Sequence, residues 1–174
     1  DALNKQRLKK LFDNGLDSVI VSLDAGQSWV STMKDDDQLL GTRVTSSKPI
    51  AVTSGGNHLL NSSGVHGDAG LDQITPVEHL GTKHVVLRGR GISPQDYFMY
   101  IATANATNIT VDGVTILTNG IAGSSGTFSM PGNATTPGKP FIIESNTPIY
   151  IFQVTTGASS FAPEQGMAQI PHID

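Results

Sequence analysis

Asn108-Ile-Thr-Val-Asp-Gly-Val-Thr-Ile116 is the segment that most constrains this chain. Two β-branched runs flank Asp112-Gly113. A two-residue connection of that kind is favoured because a type I′ turn needs positive φ at both central positions. The segment therefore predicts a β-hairpin, and with it an antiparallel sheet. Other short apolar runs read the same way. His84 to Arg88, Tyr97 to Ala102, Phe141 to Glu144 and Ile149 to Val154 are strand candidates. So are Ser18 to Leu23, Ser28 to Met33, Gly41 to Thr45 and Ile50 to Thr53. Only residues 3 to 12 suggest a helix, short and N-terminal, with apolar residues at 8, 11 and 12. Short strands separated by turn signals predict an all-β, β-sandwich-like fold.

Composition supports this and removes alternatives. Charged residues make up 15% of the 174, with 19 glycines and 9 prolines, which disfavours a helical bundle or coiled coil. There is no cysteine, so a disulfide scaffold is excluded. A hydrophobic content of 37% argues against disorder. The net charge of −4 argues against nucleic acid, which needs a clustered Lys/Arg face. The basic run Lys5, Arg7, Lys9 and Lys10 reads as a solvated face. No apolar run reaches the roughly 18 residues of a membrane span, and the start lacks the apolar core of a signal peptide.

Two features bear on organisation. Val44-Thr-Ser-Ser-Lys-Pro-Ile-Ala-Val52 resembles Ile143-Glu-Ser-Asn-Thr-Pro-Ile-Tyr-Ile151. The shared Ser-x-x-Pro-Ile pattern suggests two related β-units sharing a core, at about residues 18–90 and 91–174, after an extension at 1–17. The second feature is two long turn-rich stretches. Ser54 to Gln73 holds five of the 19 glycines, and Gly120 to Pro140 is rich in Gly, Ser, Thr and Pro. Both read as loops, and loops of that length in a compact domain are usually functional.

Catalytic motifs are absent. Gly89-Arg90-Gly91 lacks the third glycine and the following helix of a dinucleotide fingerprint and reads as a β-turn. Gly123-Ser-Ser-Gly126 is not a nucleophile elbow. His58, His66, His79, His84 and His172 show no metal-ligand spacing. No cofactor is expected. Asp35-Asp36-Asp37 could at most touch calcium weakly, without the spaced ligands of a calcium loop. Trp29, Tyr97, Tyr100 and Tyr150 could stack on sugars, although strand aromatics usually build core. Sequons stand at Asn61, Asn105, Asn108 and Asn133. The candidate ligand-binding residues are the polar ones of the glycine-rich stretch: Asn57, His58, Asn61, His66, Asp68 and Asp72.

Several segments also carry a family resemblance. Leu23-Asp-Ala-Gly-Gln27 is similar to a Leu-x-x-Gly-Gln turn. The block from Leu40-Gly-Thr-Arg-Val44 through Ser46-Ser-Lys-Pro-Ile-Ala-Val-Thr-Ser-Gly55 is the most specific. Asp72-Gln-Ile-Thr-Pro-Val77, Leu80-Gly-Thr-Lys-His-Val-Val86, Ile149-Tyr-Ile-Phe-Gln153 and Gly166-Met-Ala-Gln-Ile-Pro171 follow. Together they resemble the amino-terminal domain family of IgG Fc-binding proteins, over roughly Val19 to Pro171. The resemblance implies a β-rich, non-catalytic module of secreted or bacterial cell-surface proteins, often adhesive. Its partner would be a protein or glycan surface ligand. Self-assembly as a subunit of a filament, lattice or phage-like particle is the alternative. Antibody Fc binding is not carried over, because no residue motif here encodes it. Many bacterial members hold a Cys pair in the loop after Ser-Gly, and the matching positions here are Leu59 and Asp68.

Overall fold

The structure is a computed structural model that describes residues 18–31, 40–60, 67–89, 96–132, 137–156 and 165–174, with the backbone alone at 57–60, 67–69, 155–156 and 165. The chain divides into two compact units, Asp1–Leu39 and Leu40–Asp174. In the first, Asp24 to Gln27 forms a turn. Gln27 N donates to the Asp24 carbonyl at 3.1 Å, and Asp24 N donates to Gln27 Oε1 at 2.8 Å. Gly26 supplies the positive φ of 80°. The strands expected at Ser18–Leu23 and Ser28–Met33 are not formed over 18–31. A β-branched run is only compatible with extension; a strand needs a ladder, and no pairing reaches this segment. The expected helix over 3–12, Met33 and Asp35-Asp36-Asp37 lie outside the described residues.

The second unit is all-β. A two-stranded ribbon pairs β1 (Thr53–Leu60) with β2 (Gly67–Gln73). A 3-10 turn at Val77–His79 leads to β3 (Lys83–Leu87), β4 (Tyr97–Ala102), β5 (Thr107–Val111), β6 (Val114–Gly120), β7 (Ser125–Ser129), β8 (Pro140–Ser145), β9 (Ile149–Thr156) and β10 (Gln165–Gln169). One four-stranded sheet has the order β3-β8-β5-β6, the other β10-β9-β4-β7. Every pairing is antiparallel. The β-sandwich expectation holds.

The core lies between the two four-stranded sheets. Alternation puts Phe98, Tyr100 and Ala102 of β4 inside, with Ile109 and Val111 of β5 and Phe141 and Ile143 of β8. Phe128 of β7 stacks on Phe98 at 5.2 Å between ring centroids and meets Phe141 edge-on at 6.3 Å, bridging the layers. Each such buried side chain contributes about 1.5–3 kcal/mol relative to exposure. Tyr100 is therefore core rather than a sugar platform.

The Asp112-Gly113 hairpin forms as read. Val111 pairs with Val114, and the central residues have φ of 48° and 81°. Asp112 also completes the ladder to β8. Its N–H donates to the Ile142 carbonyl at 2.8 Å, and its Oδ1 accepts from Ile142 N at 2.9 Å. The carboxylate stands where a backbone carbonyl would if the chain had not turned.

Three expectations change. Gly41–Thr45 and Ile50–Val52 carry no ladder, and only Thr53 of that stretch enters a strand. The two Ser-x-x-Pro segments consequently differ: Ile143–Ile151 is the corner between β8 and β9, where Ser145 Oγ donates to the Thr147 carbonyl at 2.6 Å, while Val44–Val52 is irregular. The presumed loop from Gly120 to Pro140 contains β7, which its small hydroxyl residues concealed.

The last residues fold back along β3. His84 forms an isolated bridge with His172, and Ile173 N donates to the Lys83 carbonyl at 2.9 Å. Asp174 accepts from Thr82 N and Lys83 N, both at 3.1 Å, and from the Thr82 hydroxyl. Those bonds, the hydroxyl's first, hold its carboxyl well below the usual range. A side chain at Gly81 would meet the side chains of His172 and Asp174, which would have to shift to admit it.

Candidate functional site

The glycine-rich stretch expected as a loop is the β1–β2 ribbon. Thr53 pairs with Gln73, Ser54 with Asp72, Gly55 with Leu71 and Gly56 with Gly70; after an irregularity, Leu59 pairs with Asp68 and Leu60 with Gly67. Glycine is used here for approach rather than flexibility. A Cβ on Gly55 would overlap the Gly70 carbonyl oxygen. Of the ribbon residues whose side chains are described, Thr53–Gly56 and Gly70–Gln73, none belongs to the sandwich core cluster.

The base of the ribbon is tied down by polar contacts. Ile74 N donates to the Val52 carbonyl at 2.8 Å, just beyond the Thr53/Gln73 pair that ends the ladder. Asp72 Oδ1 accepts from Gln73 N at 2.8 Å, and its Oδ2 accepts from Gln169 N of β10 at 2.5 Å. Gln169 answers through its side chain, whose Oε1 accepts from Thr75 N at 3.1 Å. The Tyr150 hydroxyl donates to the Thr75 carbonyl at 2.6 Å. Burial, then the nearby Glu78 carboxylate, pushes the Tyr150 hydroxyl upward, so it stays a donor across the physiological range. Its ring stacks on Phe152 at 6.1 Å. Around this clasp is an open recess of about 180 Å³ lined by Asp72, Gln73, Thr75, Gln169 and Pro171.

The candidate residues fall into two groups. Asp72 is at the base, with both carboxylate oxygens engaged by backbone N–H groups. Asn57 and His58 are in β1 and Asp68 is in β2, towards the far end. Asn61 and His66 lie outside the described residues, between Leu60 and Gly67, which pair with each other. Of the described candidates, Asn57, His58 and Asp68 stand apart from Asp72 along the ribbon. Gln169 and Thr75 are not among the candidates, and Tyr150 is among them only as a stacking platform. Gln169 is 97 residues from Asp72, and nothing local announces that bond.

The remaining histidine of chemical interest is His84. It is buried, and its Nδ1 faces the Ile170 carbonyl at 3.2 Å, while Nε2 has no hydrogen-bond partner. Burial lowers its basicity; the carbonyls of Ile170, Gly81 and Pro171 oppose that less strongly, and His172 adds to it. It holds the closing segment on β3. Among the described residues, no three His, Asp or Glu side chains are grouped to hold a metal ion. Among the same residues, no helix is long and apolar enough to cross a membrane.

A family model described as IgGFc binding protein matches residues 4–174. No curated protein and no solved structure gives a significant match.

Proposed function

Since the chain belongs to the IgGFc binding protein family, we propose that it is an extracellular, non-catalytic adhesion module of a bacterial surface protein. It takes a protein or glycan ligand on the β1–β2 ribbon. The observation that carries this reading is the division of labour in the second unit. The core cluster lies in the sandwich, and the ribbon residues with described side chains, Thr53–Gly56 and Gly70–Gln73, are not part of it. A segment tied at its base by a polar clasp is suited to presenting side chains beyond that base. The candidates on it, Asn57, His58, Asn61, His66 and Asp68, are hydrogen-bonding groups with little net charge. Contact with a polar surface would then rest on hydrogen bonds and shape rather than on long-range attraction.

The test is a binding screen on immobilised probes: antibody Fc, extracellular-matrix proteins and a glycan array. The chain is compared with a variant in which Asn57, His58, Asn61, His66 and Asp68 are all alanine. Binding by the parent and at least about tenfold weaker binding by a folded variant supports the ribbon as the site. Equal binding by both rules it out.

A further inference from the structure

Each four-stranded sheet has two edge strands, and three of the four are guarded. Along β3 runs the closing segment, through the His84–His172 bridge and the Ile173-to-Lys83 hydrogen bond. Beside β10 lies β2, whose Asp72 takes the Gln169 N–H. The β6 edge is broken by register shifts against β5 and by Asn119, held at φ 51°. Edges are ordinarily protected by such covers, bulges, charges or prolines. Among the described residues of the second unit, none of these lies along β7. Its register against β4 runs unbroken from Tyr97/Ser129 to Ile101/Ser125, and Ser125–Ser129 contains no charge and no proline.

The outward backbone groups of β7 follow from the ladder. Met130 N donates to the Asp96 carbonyl at 2.9 Å, and Ala102 N donates to the Ser124 carbonyl at 2.8 Å. Hydrogen-bonded pairs alternate along an antiparallel ladder, so Phe98/Phe128 and Tyr100/Gly126 are bonded pairs. Ser125, Thr127 and Ser129 therefore turn their N–H and C=O away from β4. All three residues are exposed.

We propose that β7 is the docking edge for a second copy of this chain. The two β7 strands pair antiparallel about a two-fold axis at Thr127, and the sheets of both copies become continuous. The edge is self-complementary in the way a two-fold interface requires. Its outward residues number three and centre on Thr127, so Thr127 faces Thr127 of the partner subunit and Ser125 faces Ser129 of the partner subunit. Every pair is of the bonded kind. No like charges oppose each other, and Thr–Thr cross-strand pairs are favourable. The contact is short, so association is weak and depends on concentration.

The experiment is sedimentation equilibrium of the full chain from roughly 10 μM to 1 mM. The expected result is a mean mass rising from 18.3 kDa towards twice that value. Thr127→Pro removes the central outward N–H but leaves the β4-facing donors of Gly126 and Phe128; it should weaken the dimer at least about tenfold. Thr127→Lys opposes two cations across the axis and should weaken it in a salt-dependent way. Thr127→Val keeps the backbone and should leave it intact. Circular dichroism checks that each variant is folded, and the lysine variant carries the test if the proline variant is not. A monomer throughout the range overturns the proposal, as does a dimer indifferent to the folded variants.

Discussion

Leu59 and Asp68 stand directly opposite each other across the β1–β2 ribbon. Antiparallel partners have Cα atoms about 4.5–5.5 Å apart, within the span of a disulfide. The double variant Leu59→Cys/Asp68→Cys should therefore oxidise to an intramolecular bond. Closing a loop of that size should stabilise the chain by about 2–3 kcal/mol. Thiol titration and thermal melts with and without reductant measure this. Two thiols that persist under mild oxidant would mean the register is different.

Asp72 ties the ribbon to β10. Asp72→Ala leaves the N–H groups of Gln73 and Gln169 without their acceptor, at a cost of about 1–3 kcal/mol. The readout is amide hydrogen exchange. Gln169 and Ile74 should exchange faster, while Phe98 and Ile143, deep in the sandwich, should not. Uniform acceleration would show that the ribbon and sandwich open together.

Gly55→Ala places a methyl group against the Gly70 carbonyl, backbone that can move only if the ribbon opens. A loss of about 1–3 kcal/mol is expected, and the same exchange experiment should locate it in the ribbon. A neutral result would sink the close-approach account of these glycines.

At the hairpin, Asp112→Ala removes both a residue tolerant of φ 48° and the acceptor for Ile142 N. A cost of about 1–2 kcal/mol is expected in denaturant melts. Asp112→Asn should recover most of it, because the amide oxygen can accept the same bond.

His84 makes stability depend on pH. Burial depresses its basicity in the folded chain, so the unfolded chain binds the proton more readily. Its contribution is complete above the unfolded value of about 6.5 and is lost as pH falls below it. Melting temperature should fall on going from about pH 7.5 to 5. His84→Leu should flatten that slope whatever it does to the absolute value. An unchanged slope would assign the dependence elsewhere.

What the sequence revealed, and what it hid, follows from the range of the interactions. Asp112-Gly113 and the alternation of Tyr97 to Ala102 are local patterns, and both elements form where expected. Ser125–Ser129 and Gly67–Gln73 are strands because of the partners they meet, so their Gly and Ser content misdirected the reading towards loops. Val19-Ile-Val21 shows the converse, strong β propensity with no ladder. Asp72 was a candidate because it is an acid in a glycine-rich stretch, yet its role is set by Gln169, far along the chain.

The pairing of Leu60 with Gly67 has a consequence for how such chains diversify. Leu60 and Gly67 are a ladder pair, so residues added between them leave the register of the two strands as it is. Each doubling of the connection's length costs only about 0.6 kcal/mol of closure entropy. Relatives can therefore lengthen the connection between the two strands without shifting their pairing, and differences in length between lineages should concentrate there.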